Sequence, residues 1–344
     1  MSLRLSSEKI KAEAESLGFF ACGIAKAEPV EEGAATMFDR WIELGCHAEM
    51  AYMAANRDKR LDPGLLMEGV KSIVSVAMNY APHSLLPDDG LHFAAYSLGR
   101  DYHDVVKSRL HLLASRLQLT NYRAFCDTAP VLERYWAERS GLGWVGRNRQ
   151  LIIPGAGSMF FLGELFVDEE LDYDEPAKNR CGCCHACIDA CPTGALGAVG
   201  VKSCDNRSGN KENVNSSYDE KAGMSRRESI FDAGKCLSYL TIENRGELPG
   251  WAAAKMGNTV YGCDRCQQAC PWNRFAVPTD IADFMPSEAL LAMTRERWSC
   301  LSVEDYRRLF KGSAVKRVKY EGLMRNIRAV TGCDNVKPTD ISEH

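Results

Sequence analysis

Cysteine spacing is the most informative chemical pattern in this 344-residue chain. Two runs, C-x2-C-x2-C-x3-C-P and C-x2-C-x3-C-P, lie on either side of a lone cysteine. Three thiolates at such short intervals hold one [4Fe–4S] cluster, while the cysteine before the proline binds a neighbouring cluster. The spacing therefore predicts two clusters with exchanged ligands. The first would be held by Cys181, Cys184, Cys187 and Cys270, and the second by Cys191, Cys236, Cys263 and Cys266.

Disulfides and zinc are the alternative roles for these cysteines. Disulfide frameworks suit small secreted domains, whereas this chain is long and begins MSLRLSSEKIKAEAESLGF, which lacks the apolar core of a signal peptide. Zinc sites also use C-x2-C pairs, but a run of three cysteines closed by C-P is unusual for zinc. Iron–sulfur clusters transfer single electrons, so we expect reductive chemistry. Reduced thiols favour a cytoplasmic protein.

Composition excludes some classes of protein and leaves others open. The chain is 45% hydrophobic, and no apolar run approaches the roughly 18 residues that cross a bilayer, so no membrane partner is expected. The net charge is −4, yet residues 307–328 are rich in Lys and Arg. This stretch is either a solvated helical face or a surface that contacts phosphates. The candidates for nucleic-acid contact are Lys316, Arg317, Lys319 and Arg325.

Hydrophobic periodicity predicts an α+β protein in three parts. Residues 1–175 form a mixed helix-and-strand domain, 176–275 a ferredoxin-like domain with a polar surface insertion at 202–229, and 276–344 a short helical tail. The tail helices are predicted at 304–310 and 322–330. In the first domain, helices are predicted at 7–17, 105–119 and 130–139, and strands at 19–25, 72–78 and 160–167.

A glycine pattern from Gly141 to Gly146 fits G-x-G-x-x-G. A dinucleotide site needs a strand directly before this motif and a helix after it. Here a predicted helix precedes the motif and the apolar run Leu151-Ile152-Ile153 follows it soon after. We therefore expect no nicotinamide site; the glycines allow a sharp turn or a close approach to a bulky ligand.

Several longer motifs resemble the signatures of one enzyme family. The stretch from Asp127 to Gly146 resembles the signature region of epoxyqueuosine reductases, and so do Tyr239–Glu243 and Tyr261–Asn273. The resemblance covers most of the chain. It implies a cobalamin-dependent iron–sulfur enzyme that removes the epoxide oxygen of epoxyqueuosine in tRNA, consuming two electrons and two protons. The partners would be a tRNA anticodon stem-loop carrying epoxyqueuosine and an unidentified electron donor, with the enzyme a monomer.

The resemblance also assigns roles to individual residues. Asp127 matches the family's proton donor, for which burial beside the corrin should raise its pKa. The alternative for Asp127 is an N-cap of the helix predicted at 130–139. No histidine is expected below the cobalt, because the chain lacks a D-x-H-x-x-G sequence. The candidate cobalamin contacts, each of which is otherwise an ordinary cap or core hydrogen bond, are Arg60, Ser97, Tyr102, His103, Asp127, Ser158, Ser238 and Thr241.

Two departures from the family pattern leave other functions open. The insertion at 202–229 is longer than expected, and the chain ends where longer members continue into helical repeats that help hold tRNA. The basic stretch would then replace those phosphate contacts. One alternative is a corrinoid iron–sulfur reductase acting on a small molecule, as reductive dehalogenases do. Another is a ferredoxin-like electron carrier, which would need only residues 176–275.

Overall fold

A computed structural model describes residues 5–83, 86, 90–197 and 230–332 of the protein. The insertion predicted at 202–229 lies outside these residues. The helices and strands that the structure describes are mixed along the chain, and the α+β prediction is confirmed. No described helix has the length and hydropathy needed to cross a membrane.

The elements run in the following order along the chain. The α-helices are α1 (Ser7–Ser16), α2 (Glu32–Glu43), α3 (Ala51–Ala54), α4 (Arg57–Leu61), α5 (Tyr102–Arg116), α6 (Glu133–Arg139), α7 (Ala186–Asp189), α8 (Leu237–Ile242), α9 (Ala253–Met256), α10 (Arg265–Gln268), α11 (Glu288–Leu291), α12 (Arg295–Ser299), α13 (Val303–Leu309) and α14 (Lys319–Thr331). The strands are β1 (Ala21–Lys26), β2 (Ser72–Asn79), β3 (His92–Phe93), β4 (Tyr122–Phe125), β5 (Trp144–Val145), β6 (Leu151–Ile152), β7 (Phe160–Val167) and β8 (Thr259–Tyr261). Short 3₁₀ helices lie at Pro63–Leu65, Ala95–Ser97, Ala233–Lys235, Pro271–Phe275, Ala282–Phe284 and Ala314–Val318.

The first domain is built on an antiparallel sheet in the order β1-β2-β7-β4. Its strands β2 and β7 are central and almost entirely buried, which explains their continuous apolar runs. Helices α1 and α5 cover one face through Ile10, Val106 and Leu110. Helix α6 lies against the other face, where Trp136 packs with Phe166. The sheet thus places the ends of α5 and α6 on either side of the loop after β4.

The start of α5 matters most for the site described below. Asp101 caps this helix by accepting a hydrogen bond from the His103 backbone N–H at 3.1 Å. Further along, Val106, Leu110 and Leu113 lie on one buried face at helical spacing. The capped end carries Tyr102 and His103 in its first turn, where the Tyr102 ring stacks on Phe161 of β7.

A second core joins the C-terminal helices to part of the first domain. Strand β3 pairs in parallel with β8, so the segment around Phe93 packs with Trp298, Phe310 and Tyr261. Helix α14 supplies Leu323 and Ile327 to the same core. The two predicted tail helices are confirmed as α13 and α14, while the domain boundaries at 175 and 275 stay predictions.

The predicted elements of the first domain are confirmed with one informative shift. Helix α6 begins at Glu133 rather than near residue 130, and its N-cap residue Leu132 makes no side-chain capping bond. The N-cap interpretation of Asp127 is therefore wrong. The glycine motif lies between α6 and β5 and leads into the β5–β6 hairpin, so it has neither the strand nor the helix of a dinucleotide site.

Gly23 of β1 gives a test of this packing. A Cβ atom there would lie 2.0 Å from the Ser140 carbonyl oxygen at the end of α6. Gly23→Ala should therefore lower the free energy of unfolding by about 1–3 kcal/mol through overpacking. The control is Gly33→Ala in α2, where a Cβ atom would have no neighbouring atom within 4 Å. This substitution should raise the free energy of unfolding by roughly 0.5–1 kcal/mol, because alanine favours the helix over glycine. Urea unfolding measures both, and equal effects at the two positions would contradict the packing.

Candidate active site

Asp127 lies at the meeting point of three elements, in the loop between β4 and α6. Its carboxylate accepts hydrogen bonds from the Tyr102 hydroxyl and, at 3.4 Å, from Nε2 of His103. The other ring nitrogen of His103, Nδ1, lies 2.6 Å from Asp101. The backbone N–H of Asp127 donates to the carboxyl group of Glu133. These bonds hold Asp127 at a φ of 55°, in the left-handed region that residues other than glycine rarely occupy.

Hydrogen bonds within this cluster determine the protonation states of Asp127 and His103. Its side chain is 59% exposed. Although desolvation favours the neutral acid, hydrogen bonds from His103 and Tyr102 outweigh it and lower the pKa of Asp127. For His103, burial opposes the charge, but the bonds to Asp101 and Asp127 raise its pKa to about 9. The hydrogen bonds of this cluster thus act on the pKa of Asp127 in the direction opposite to the predicted effect of burial beside the corrin, and they favour an ionised Asp127 next to a protonated His103 at neutral pH.

Two further carboxyl groups lie behind Asp127. Desolvation, followed by the charge of Asp127, raises the pKa of Glu133 to about 8. Glu164, in the middle of β7, is 0% exposed, and neither of its carboxyl oxygens has a hydrogen-bond partner among the described residues. Burial, with added repulsion from Glu133 and Asp127, raises its pKa well above the usual range. Glu164 is thus a neutral acid in the folded protein.

The other predicted cobalamin contacts divide into two kinds. Ser97, Ser158 and Thr241 are buried, and their hydroxyls form hydrogen bonds within the protein. The Ser97 hydroxyl donates to the Ala94 carbonyl, and the Thr241 hydroxyl donates to the Leu237 carbonyl. The Ser158 hydroxyl accepts a hydrogen bond from the Asn273 amide. These bonds indicate core roles. Arg60 is likewise buried and donates to the carbonyls of Tyr52 and Met53. Ser238 is partly exposed at the start of α8, so it joins Tyr102, His103 and Asp127 in keeping an accessible polar surface.

The basic stretch approaches the site through one arginine. Arg317 forms a bidentate pair with Glu243, at 2.9 and 2.8 Å, and its guanidinium lies 5.8 Å from the centre of the Tyr52 ring. Burial raises the pKa of Tyr52, and the charges of Glu243 and Asp127 act in the same direction. Tyr52 therefore lies between the acid site and the basic stretch.

The four predicted nucleic-acid contacts are not equivalent. Lys316 and Lys319 are exposed, and no ion pair involves either of them within the described ranges. Arg325 is different, because its guanidinium donates to the backbone carbonyls of Leu240, Asn244 and Gly246. These bonds tie α14 to the loop after α8, which favours a structural role for Arg325.

The first predicted cluster group surrounds a single space. Its thiols line a cavity of about 150 Å³ together with Asn148 and Trp272. Burial raises the pKa of Cys187 to about 11, and the charges that add to this shift are those of Cys270, Cys181 and Cys184. Within the described ranges, no three Cys, His, Asp or Glu side chains converge as they would around one metal ion. The four thiols surround a volume instead, as ligands at the corners of a cluster do.

The second predicted group lies directly beside the first. Burial raises the pKa of Cys266, with further contributions from Cys236, Cys263, Cys187 and Cys191. The pKa of Cys236 is also raised, mainly by burial and further by the charge of Cys191. The exchange of ligands predicted from the C-P motifs is therefore matched by proximity in space. Helices α7 and α10, which carry Cys187 and Cys266, pack against each other.

Comparison with known proteins identifies the family. Residues 60–128 match the family model described as epoxyqueuosine reductase QueG, DUF1730, and residues 221–273 match a 4Fe-4S double cluster binding domain. The epoxyqueuosine reductase of Leadbetterella byssophila is 42% identical over 95% of this chain and 99% of its own length. The chain belongs to the epoxyqueuosine reductase family. The Pseudomonas aeruginosa epoxyqueuosine reductase is 39% identical over 95% of the chain and 85% of its own length.

Solved epoxyqueuosine reductases share the fold. A crystal structure of one with an epoxyqueuosine-modified stem-loop of tyrosine tRNA matches at a TM-score of 0.79 and 26% identity, covering 94% of this chain and 80% of that one. A second match is the Bacillus subtilis epoxyqueuosine reductase, solved with its catalytic aspartate loop swung out of the active site. Its TM-score is 0.77 and its sequence identity 26%, and the match covers 94% of this chain and 80% of that one. The double-cluster domain establishes iron–sulfur binding and decides against zinc.

Sequence reasoning missed the residues that support the site from behind. Glu133 carries a local signal, because an acidic residue in the first turn of a helix is favourable, but its bond to Asp127 is tertiary. Glu164 carries a clearer signal in the sequence, because it is the charged residue within the apolar run Phe160–Val167. A charge at the centre of a buried strand is rare enough to single out.

Glu164 makes the stability of the protein depend on pH in a defined direction. A carboxyl whose pKa is raised on folding stabilises the native state below its unfolded pKa, near 4.3, and this contribution is lost as pH rises towards its folded pKa. Glu164→Gln removes the titration. The free energy of unfolding of the variant should therefore increase relative to that of the wild type as pH rises above about 4.3, since only the wild type loses this contribution.

Urea unfolding at several pH values measures this difference. The control is Glu15→Gln, which removes an exposed carboxyl on α1. Its free energy of unfolding, plotted against pH, should run parallel to that of the wild type. Parallel curves for Glu164→Gln as well would show that Glu164 is ionised in the folded protein.

Proposed function

We propose that this protein reduces epoxyqueuosine in tRNA to queuosine, removing the epoxide oxygen with two electrons and two protons. The observation that carries this proposal is the accessible Asp127 carboxylate paired with a cationic His103, in a chain related over 95% of its length to an epoxyqueuosine reductase. A ferredoxin-like carrier would not need the first domain. Incubation with epoxyqueuosine tRNA, cobalamin and a reductant, followed by nucleoside mass spectrometry, tests the activity, and unchanged epoxyqueuosine would refute it.

The chain would carry two kinds of cofactor. The two cysteine groups fit a pair of [4Fe–4S] clusters, since each brings four thiols together from separate motifs. The accessible polar residues Tyr102, His103, Asp127 and Ser238 suit contacts to a large polar ligand such as cobalamin. Ser97, Ser158, Thr241 and Arg60 fit that role poorly because their polar groups are already bonded. When bound, cobalamin supplies the reducing metal centre.

The protein's own residues would manage the proton. Opening the epoxide leaves an oxygen that needs a proton as the C–O bond breaks. Asp127 is ionised at neutral pH, so a proton delivered through its carboxyl has to come from a neighbour. His103 holds one at Nε2, directed at that carboxylate, and Asp101 on Nδ1 compensates the charge of the ring. Asp127 is then the residue that donates the proton to the substrate, and His103 is the residue that supplies the proton to Asp127.

The exposed lysines beside the site would bind the tRNA backbone. Lys316 and Lys319 lie in the same segment as Arg317, which contacts Tyr52 near Asp127. A phosphate on these lysines would bring an anticodon loop close to the acid site. Neutralising phosphates releases counterions from the RNA, so affinity should depend on salt. The electron donor, the monomeric state and the cytoplasmic setting stay predictions.

Asp127→Asn tests the proton donor. The amide retains the shape of the side chain but cannot pass a proton to the substrate. Single-turnover reduction should be at least about a hundredfold slower, the usual contribution of a positioned acid. Cobalamin and iron content, measured by absorption spectra of the same samples, are the control. Wild-type turnover with both cofactors bound would remove Asp127 from the mechanism.

The pH profile tests the role of His103. Its raised pKa means that the ring is charged at neutral pH and loses its proton near pH 9. Wild-type single-turnover rates should therefore fall as pH rises through about 9. His103→Gln should be slower at neutral pH and lack this alkaline limb. A variant that kept the limb would place the titrating group elsewhere.

Charge reversal tests the tRNA surface. The double variant Lys316→Glu and Lys319→Glu should weaken tRNA binding and flatten its dependence on salt, by about one unit of slope for each phosphate that the variant no longer neutralises. Lys9→Glu on α1 is the control and should leave the slope unchanged. Filter binding between 50 and 300 mM salt, expressed on a logarithmic scale, measures both. Equal slopes in the double variant and the wild type would exclude these lysines.

A further inference from the structure

The β5–β6 hairpin, which contains the end of the glycine motif, covers the first cysteine group. Trp144 and Asn148 belong to this hairpin and its turn, and neither takes part in the chemistry proposed at Asp127. Trp144 is fully buried, and its indole Nε1 donates a hydrogen bond to Sγ of Cys181 at 3.4 Å. Asn148 lines the same cavity as the four thiols. The hairpin therefore presents nitrogen donors to sulfur.

Asn148 has an unusual side chain for a buried position. The residue is 3% exposed, and its Oδ1 accepts a hydrogen bond from the backbone N–H of Gln150 at 3.1 Å. This bond fixes the orientation of the amide, because the reversed group would place two donors against each other. The other end, Nδ2, is buried and has no hydrogen-bond partner among the residues that the structure describes. An unpaired buried donor is costly, so a missing acceptor is expected here.

We propose that Asn148 Nδ2 donates a hydrogen bond to the cluster held by Cys181, Cys184, Cys187 and Cys270, and that Asn148 and Trp144 together set the reduction potential of this cluster. The inference rests on the proposed ligand set and goes beyond it, because neither residue is a ligand. The acceptor is a sulfur of the cluster or of its thiolates, the only kind of acceptor that a cluster offers. Asn148 is in this sense a tuning residue and takes no direct part in the reduction of the substrate.

The physical consequence has a definite sign. Reduction adds an electron to a cluster that is already anionic with its four thiolates. Hydrogen bonds to sulfur disperse that charge and favour the reduced form, which raises the potential. Arg147 and Arg180 also line the cavity and act in the same direction. The first cluster should therefore be easier to reduce than it would be without the hairpin.

Two substitutions at Asn148 separate this role from a structural one. Asn148→Leu removes both the donor and the acceptor of the turn. Asn148→Asp keeps an oxygen for the Gln150 N–H and replaces the donor by a second oxygen. Both should shift one of the two cluster midpoints to more negative potential, by about tenfold in the reduction equilibrium, or about 59 mV for one electron. Trp144→Phe should shift the same midpoint in the same direction.

The measurement is a redox titration of the reconstituted full chain followed by EPR, with iron and sulfide content determined for each variant. Asn121→Leu, at an exposed amide beside Asp168, is the control and should move neither midpoint. If the wild type holds no pair of clusters, the proposed function itself fails. If both clusters are present and neither Asn148 variant shifts a midpoint, or only the leucine variant does, the inference is wrong and the ligand set stands.

Discussion

The hydrogen bond from the Asp127 backbone N–H to the Glu133 carboxyl group determines the geometry of the acid site. It holds a residue other than glycine in the left-handed region, a conformation that costs roughly 1–2 kcal/mol. In this conformation the Asp127 side chain reaches the first turn of α5, where Tyr102 and His103 bond to it. The sheet, α5 and α6 contribute to the chemistry by fixing the two ends of this arrangement. The swung-out loop of the Bacillus subtilis relative indicates that the corresponding loop of that enzyme has another position.

The carboxyl groups near Asp127 differ in protonation because their surroundings differ. Glu164 is sealed in the sheet without a partner among the described residues and is neutral, whereas Asp127 faces two donors and is ionised. Glu133 lies between them with a pKa near 8. Environments that separate the pKa values of neighbouring acids are characteristic of sites that move protons. A neutral Glu164 also avoids a buried negative charge behind Asp127, which would otherwise oppose the ionised form of Asp127 that attracts the proton of His103.

How much the sequence could predict depended on whether a feature was local. The cysteine runs, the β-branched strand at 72–78 and the apolar face of α5 are repeated over short distances, and the structure confirms the strand and the helix. The lowering of the Asp127 pKa by His103 could not be predicted from the sequence, because His103 comes from a different element. Ser158 and Thr241 appeared available from their motifs, but their hydroxyls bond to residues of the core. Asn148 carried no signal at all, since an unpaired donor becomes visible only when the chain has folded around it.

The two cysteine groups have different positions relative to the acid site, and under the proposed function this difference would give the electron path a direction. The first group includes Cys184, which is exposed, so its cluster would be the one accessible to a donor protein. The second group is connected to the acid site by contacts around Asp264 and Tyr96. Asp264, next to Cys263, accepts a hydrogen bond from the Ala95 N–H at 2.7 Å, and the neighbouring Tyr96 ring packs edge-on against Tyr102. Electrons would therefore arrive at the first cluster and leave from the second, towards the residues that hold the proton. A hairpin that raises the potential of the first cluster would favour the arrival step, and the second cysteine group lies directly beside the first, where α7 packs against α10.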